Sequence, residues 1–86
     1  MKFLVIRFSS IGDIVLTTPV LRTLEQQVPG AVIHYLTKPA FAQVLDGNPH
    51  VRKIHALEED FGAMIRSLKA ERFDAVIDLH RNVRTL

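Results

Sequence analysis

Four short runs of apolar residues, rich in β-branched side chains, alternate along the chain with stretches that have helical spacing. The runs cover residues 3–6, 32–36, 51–56 and 75–77. The first and last runs are continuous rather than alternating, which is typical of parallel strands covered on both faces. The pattern therefore predicts four parallel strands connected by helices.

The first helical stretch is interrupted by a proline. The residues that recur there at helical spacing are Ile14, Thr18, Leu21, Leu24 and Val28. Pro19 lies inside this pattern, so we expect either a kink or a new helix that Thr18 caps. Pro29 and Gly30 end the stretch.

Two further helices are predicted. Pro39 suits the first turn of a short helix that ends before residues 48–49. Asp60 is a good N-cap for the third helix. Its predicted buried side consists of Phe61, Met64, Ile65 and Leu68.

The order β-α-β-α-β-α-β, with right-handed crossovers, predicts an α/β fold with a Rossmann-like parallel sheet in strand order 3-2-1-4. The fourth strand would be an edge, and residues 75–77 contain neither charge nor proline to protect it. We therefore expect the isolated chain to self-associate through this edge. Three helices cover four strands poorly, so we expect the chain to be part of a larger domain.

Composition restricts the class of protein. The 86 residues are 48% hydrophobic and 23% charged, which excludes intrinsic disorder. The net charge of +2 is too small to drive nucleic-acid binding. The sequence contains no cysteine, so disulfides and thiolate metal sites are excluded, and a reducing cytoplasm is expected. No apolar run approaches the roughly 18 residues of a membrane span.

The segments that follow strands 1 and 4 are the candidate site, because ligands of open α/β sheets bind at the switch point between such strands. These segments are residues 8–13 and 78–82. The first segment contains one glycine, Gly12, whereas the dinucleotide-binding fingerprint needs three, so that motif is excluded. The P-loop is excluded as well, because no Gly-Lys-Ser or Gly-Lys-Thr follows. Ser9 and Ser10 offer hydroxyls, and Gly12 allows a ligand to approach the backbone.

Asp13 has two interpretations. It can complete a capping box with Ser10 as the N-cap, which the spacing favours. It can also act as a general base that takes a proton from an acceptor hydroxyl. A helix N-terminus favours the ionised carboxylate and so lowers its basicity, which counts against the second interpretation.

The four histidines raise the question of a metal site. They are His34, His50, His55 and His80. His34 and His55 fall on neighbouring predicted strands, but ordinary partly buried histidines are far commoner than ligands, and we predict no metal site. His80 lies at the predicted mouth of the site, where we consider it a candidate for ligand contact.

Residues 2–21 contain a recognisable motif, Ser9-Ser10-Ile11-Gly12-Asp13 followed by Thr17-Thr18-Pro19. This stretch resembles the opening of glycosyltransferase family 9, the lipopolysaccharide heptosyltransferase family. Residues 29–37, 48–51 and 73–80 give further matches in the same order. The resemblance covers nearly the whole chain.

The resemblance implies a GT-B enzyme with two Rossmann-like domains. Residues 1–86 would form part of the N-terminal, acceptor-side domain. The C-terminal domain, which binds a nucleotide-sugar donor such as ADP-heptose, would be absent, and we expect these residues alone to be inactive. The implied activity is transfer of a heptose or a related sugar to a lipopolysaccharide inner-core acceptor, with no cofactor and no metal. We expect a cytoplasmic location, and we leave open a peripheral association with the inner face of the inner membrane.

The resemblance also assigns site residues. The catalytic base of the family falls on Asp13, which reverses the preference for the cap without excluding it. The implied acceptor-binding residues are Ser9, Ser10, Gly12 and His80. Arg81 departs from the family, which usually has glycine there, so either the turn or the acceptor differs. The alternatives are a non-catalytic Rossmann-like binding module and, more remotely, a receiver-like domain.

Overall fold

A computed structural model describes residues 1–8, 11–57 and 59–79 of the chain, with only the main chain of Ile11. The elements in chain order are β1 (Lys2–Ile6), α1 (Ile11–Leu16), α2 (Thr18–Gln27), β2 (Val32–Thr37), α3 (Pro39–Leu45), β3 (Lys53–Ala56), α4 (Phe61–Ala70) and β4 (Ala75–Asp78). Among these residues, no helix combines the length and the hydropathy that a membrane span requires.

The four strands form one parallel sheet in the order β3-β2-β1-β4, so the predicted α/β fold and strand order are confirmed. Ile6 lies between Leu36 of β2 and Asp78 of β4. The chain leaves β1 toward β2, while β4 pairs with the other side of β1. The switch point therefore lies between β1 and β4, as the sequence predicted.

Two hydrophobic clusters hold helices on opposite faces of the sheet. The cluster beneath α1, α2 and α3 consists of Val5, Ile14, Leu21, Ile33, Tyr35 and Leu45. The cluster beneath α4 consists of Leu4, Leu36, Met64 and Leu68. Because Leu4 and Val5 point to different faces and both are buried, β1 is covered on both sides.

The predictions for β4 and for Phe61 need correction. The β4 strand is not covered on both faces, since Val76 is 57% exposed, and Phe61 is 60% exposed rather than buried. The reason is that α4 alone packs on this face among the described residues. A groove of about 490 Å³ remains beside β1 and β4, and both Phe61 and Val76 line it. β4 does form an edge of the sheet, while self-association through it stays a prediction.

The helix starts at Pro39 and after Asp60 are confirmed. Pro39 is the first residue of α3, where its missing N–H costs nothing. The Asp60 side chain accepts a hydrogen bond from the Ala63 main-chain nitrogen at 3.0 Å, which makes it the N-cap of α4.

Pro19 separates two helices, and it does not merely bend one. Helix α1 ends at Leu16 and α2 begins at Thr18, with Thr17 rather than Thr18 at the N-cap position. Pro19 has no N–H for the Val15 carbonyl. The Thr18 hydroxyl donates to that carbonyl at 2.9 Å instead, so the proline leaves no unpaired acceptor there.

Thr17 connects this break to the sheet. Its hydroxyl donates to the Ile14 carbonyl at 2.6 Å and lies 3.0 Å from the Tyr35 hydroxyl. Since the single hydroxyl proton of Thr17 is used on Ile14, the Tyr35 hydroxyl is the donor between the two side chains. Both residues are buried, and burial raises the pKa of Tyr35.

We expect Thr17→Val to cost about 1–3 kcal/mol in the free energy of unfolding, because it leaves the buried Tyr35 hydroxyl without an acceptor. Tyr35→Phe should cost less, about 0.5–1.5 kcal/mol, since Thr17 keeps its bond to Ile14. The double variant should cost less than the sum of the two. Urea unfolding of the four proteins measures these differences.

Thr18→Val is the matched control, because the Thr18 hydroxyl bond is exposed and water can replace it. Its cost should stay below that of Thr17→Val. Strict additivity of Thr17→Val and Tyr35→Phe would show that the two hydroxyls do not stabilise each other.

Candidate functional site at the end of the first strand

The candidate site lies where the carboxyl ends of β1 and β4 meet. Arg7 directly follows β1, and Leu79 directly follows β4. The Arg7 Nη1 donates to the Leu79 carbonyl at 3.2 Å. The prediction that the segments after strands 1 and 4 are neighbours is therefore confirmed.

Arg7 also reaches the two remaining elements around this point. Its Nη2 lies 2.8 Å from Oδ2 of Asp13 in α1, and its main-chain N–H donates to the Leu36 carbonyl of β2 at 3.2 Å. The Arg7 side chain is only 5% exposed. A cation in that position needs partners, because burying an unpaired charge is very costly.

Asp13 is the partner that faces solvent. It lies in the first turn of α1, and its side chain is 48% exposed. Both the Arg7 guanidinium and the helix N-terminus favour the ionised carboxylate. The geometry thus provides an oriented carboxylate at the switch point that an incoming hydroxyl can reach.

Polar groups accumulate at this edge at some cost to the fold. Among the described residues, Arg7 Nε and Thr37 Oγ1 are buried without a hydrogen-bond partner. Ile6 of β1 pairs with Leu36 of β2. Arg7, which follows β1, and Thr37, the last residue of β2, therefore come next along the two neighbouring segments. Buried polar atoms without partners are rare in folded proteins, and they are expected mainly at functional sites.

The remaining predicted site residues have different outcomes. Gly12 lies in α1, and a Cβ built there would meet no described atom within 4 Å. Packing against the described residues therefore does not require glycine at this position, and none of them fills the space beside it. Ser9, Ser10 and His80 lie outside the described residues, as does Arg81, so the capping box with Ser10 and the acceptor roles stay predictions.

Sequence reasoning missed Arg7 and Thr37. A signal for Arg7 was present, because one charged residue follows the apolar run of residues 3–6 without a turn residue between them. The alternation of β1 places Arg7 on the same face as Phe3 and Val5, where a lone cation needs a partner. Thr37 gave no comparable signal, since a threonine at the end of a strand is ordinary.

The histidines form contacts that the sequence suggested only in part. His34 and His55 do lie on adjacent strands, with His34 Nδ1 2.9 Å from His55 Nε2. His50 lies elsewhere and contacts Glu25, with Nδ1 3.1 Å from Oε1. The pair of His34 and His55 is on the α4 face of the sheet, away from the face that carries α1.

No family model matches the chain. Among curated proteins, lipopolysaccharide heptosyltransferase 1 of Escherichia coli K12 is 26% identical over 99 aligned residues, which span 99% of this chain. A solved glycosyl transferase family 9 protein from Veillonella parvula superposes with a TM-score of 0.81 at 25% identity over 91% of this chain. Over nearly its whole length the chain is therefore similar to glycosyltransferase family 9.

A second family 9 structure agrees with this result. The heptosyltransferase WaaC of E. coli, solved with ADP-2-deoxy-2-fluoro heptose, superposes with a TM-score of 0.79 at 26% identity over 91% of this chain. The chain spans 31% of the length of the curated relative and 25% and 29% of the two structures. The shared fold therefore concerns about a quarter to a third of a typical family 9 protein.

We expect the stability cost of Asp13→Ala to depend on Arg7. In the wild-type background the substitution leaves the buried guanidinium without its carboxylate, and it should cost about 1–3 kcal/mol. In an Arg7→Met background no buried guanidinium is left without its carboxylate, and the cost should fall to about 0.3–1 kcal/mol. A double-mutant cycle by urea unfolding measures this difference. Equal costs in both backgrounds would contradict the coupling.

Proposed function

We propose that this protein forms the acceptor side of a glycosyltransferase. In this proposal a heptose or a related sugar passes from a nucleotide-sugar donor, such as ADP-heptose, to a lipopolysaccharide inner-core acceptor. The observation that carries the proposal is the half-exposed Asp13 carboxylate, held by the buried Arg7 at the switch point. The similarity to family 9 supports it, because a relative is a lipopolysaccharide heptosyltransferase and a related structure contains an ADP-heptose analogue.

Asp13 is the general base in the proposed reaction. The acceptor hydroxyl oxygen forms a bond to the anomeric carbon of the donor, and the bond from that carbon to the diphosphate oxygen breaks. The hydroxyl proton passes to the Asp13 carboxylate, and the nucleoside diphosphate leaves with the electron pair. Arg7 keeps Asp13 in place and ionised, so the carboxylate can accept the hydroxyl hydrogen bond before transfer begins.

The donor is assigned to a second domain outside these 86 residues. The described part of the site contains no glycine-rich phosphate loop, and the single glycine of residues 8–13 is Gly12. Helix N-termini and basic side chains of a donor domain can hold a diphosphate without a metal ion. We accordingly expect no sugar transfer by residues 1–86 alone and a cytoplasmic location for the complete enzyme.

We expect Asp13→Ala to lower the rate of sugar transfer by about 10²–10⁴-fold in a complete enzyme that carries this segment, because it removes the base. Asp60→Ala is the matched control, since it removes an N-cap aspartate from α4 on the opposite face of the sheet. The control should cost about 0.5–2 kcal/mol of stability and leave the rate unchanged. A normal rate for Asp13→Ala with a lowered melting temperature would leave Asp13 with a structural role only.

We expect Gly12→Ala to impair acceptor binding without impairing folding. Alanine favours a helix over glycine by about 0.5–1 kcal/mol, and the described residues leave room for the methyl group. The methyl group should enter the space of the acceptor and raise the KM for the acceptor about tenfold. Initial rates at varied acceptor concentration measure this effect.

Gly62→Ala provides the control for this substitution. Gly62 is the second residue of α4, as Gly12 is the second residue of α1, and a Cβ there makes only ordinary contacts at 3.6 and 3.7 Å. Its KM for the acceptor should match the wild type. An unchanged KM for Gly12→Ala would mean that the acceptor does not approach the backbone of α1.

A further inference from the structure

A second cluster of side chains lies on the α4 face of the sheet. His34 of β2 and His55 of β3 belong to adjacent strands, and their imidazole rings stack with centroids 5.1 Å apart. Nδ1 of His34 and Nε2 of His55 face each other at 2.9 Å. Phe73 meets the His34 ring edge-on at 5.1 Å and closes one side of the pair.

Glu71 adds a carboxylate to the two imidazoles. It follows α4 directly, and its Oε2 lies 4.0 Å from His34 Nδ1. One ligand atom from each of His34, His55 and Glu71 falls within 4.8 Å of the other two. Two imidazole nitrogens and one carboxylate oxygen form a set that Zn²⁺ and neighbouring divalent transition metals bind, with water as a further ligand.

The distances require only small movements to hold an ion. Zn–N bonds of about 2.0–2.1 Å at a tetrahedral angle place two ligand nitrogens roughly 3.3 Å apart. The imidazole nitrogens of His34 and His55 are slightly closer than this, and Glu71 Oε2 is slightly farther from His34. The ligand atoms of His55 and Glu71 lie within 4.8 Å of each other, so side-chain rotations that move ligand atoms by roughly 1–1.5 Å bring the three ligands to a common ion.

Two lysines compete for the carboxylate, and they do so unequally. Lys2 Nζ lies 2.7 Å from Glu71 Oε1, and the Lys2 side chain is 29% exposed. Lys53 Nζ lies 3.3 Å from Glu71 Oε2, and its side chain is 57% exposed. Lys53 therefore occupies the oxygen nearer the imidazoles by the longer and more exposed contact, and it can return to water. Lys2 can remain on Oε1 and keep the carboxylate oriented.

The surroundings of all three side chains favour the charge states that a metal requires, which are neutral imidazoles and an ionised carboxylate. Burial, together with the neighbouring imidazole of His55, lowers the pKa of His34. Burial and the nearby Lys53 lower the pKa of His55. The hydrogen bonds from Lys2 and Lys53 lower the pKa of Glu71 to about 2. At neutral pH an incoming ion displaces the ammonium of Lys53. The proton that one imidazole donates to the other moves to the remaining nitrogen of its own ring, so both rings stay neutral.

We propose that His34, His55 and Glu71 form a binding site for a divalent transition-metal ion of the zinc type. The sequence led us to expect no metal site. It did not reveal this one because the carboxylate comes from Glu71 at the end of α4, far from the two histidines along the chain. An ion there would join β2, β3 and α4. It lies on the opposite face of the sheet from α1 and Asp13, so the ion would stabilise the fold and take no part in sugar transfer.

The test is a titration of the protein with Zn²⁺ at neutral pH, followed by calorimetry and by the absorption spectrum of Co²⁺ as a substitute ion. We expect one equivalent to bind, tetrahedral Co²⁺ absorption and a raised melting temperature. His55→Gln and Glu71→Gln should each weaken Zn²⁺ binding by about tenfold or more. No saturable equivalent, or binding that both variants retain, would overturn the proposal.

Two further variants separate this site from other histidines and from nonspecific binding. His50→Gln removes an imidazole that also contacts a carboxylate, Glu25, and it should leave Zn²⁺ binding unchanged. Lys53→Met removes the exposed competitor and should tighten Zn²⁺ binding, an effect that a purely structural cluster would not produce. Loss of binding in His50→Gln, or weaker binding in Lys53→Met, would contradict the assignment.

If His55→Gln does not fold, the imidazole signals of the wild-type protein decide the question by nuclear magnetic resonance. Substoichiometric Zn²⁺ should shift the ring signals of His34 and His55 before those of His50. Simultaneous shifts of all three, or earlier shifts of His50, would place the ion elsewhere and overturn the proposal.

Discussion

The buried guanidinium of Arg7 is the constraint on which the candidate site depends. A cation on the covered face of β1 is tolerated only if hydrogen-bond acceptors surround it. Asp13 of α1 and the carbonyl of Leu79 after β4 supply these acceptors. The interactions that make the buried charge tolerable thus bring together the two segments of an α/β sheet where ligands bind. The position of Asp13 follows from the energetics of folding before any ligand is considered.

The break at Pro19 gives α1 a position of its own. A continuous helix would tie the first turn, with Asp13, to the packing of α2 at Leu21. The chain instead ends α1 at Leu16 and fixes the junction through the hydroxyls of Thr17 and Tyr35. Because Tyr35 belongs to β2, the short helix is attached to the sheet at both ends, through Arg7 and through Thr17. Such double attachment restricts the orientation of the Asp13 carboxylate.

Sequence reasoning located the strands and the helix starts at Pro39 and after Asp60 because hydrophobic spacing and helix capping are local properties of the chain. The strand order then followed from the right-handedness of the crossovers. Residues 3–6 and Asp60 carry their signals within one element. It failed where burial depends on a distant element. Phe61 and Val76 have apolar character and correct spacing, yet they are exposed because no described element covers their side of the groove. Glu71 could not be assigned to the imidazoles, since only the path of α4 across the sheet brings it to them.

In the proposed reaction, the contact between Arg7 and Asp13 would both support and limit catalysis. An adjacent guanidinium and a helix N-terminus hold the carboxylate in its ionised form, which makes it a weaker proton acceptor. They also hold it in one orientation, which a half-exposed side chain on a six-residue helix would otherwise lack. In a reaction where positive charge develops on the attacking hydroxyl oxygen, orientation is needed from the start and proton acceptance only late. A weak base that is held in the right orientation meets both needs. The Arg7 contact is therefore compatible with the catalytic role that we propose for Asp13.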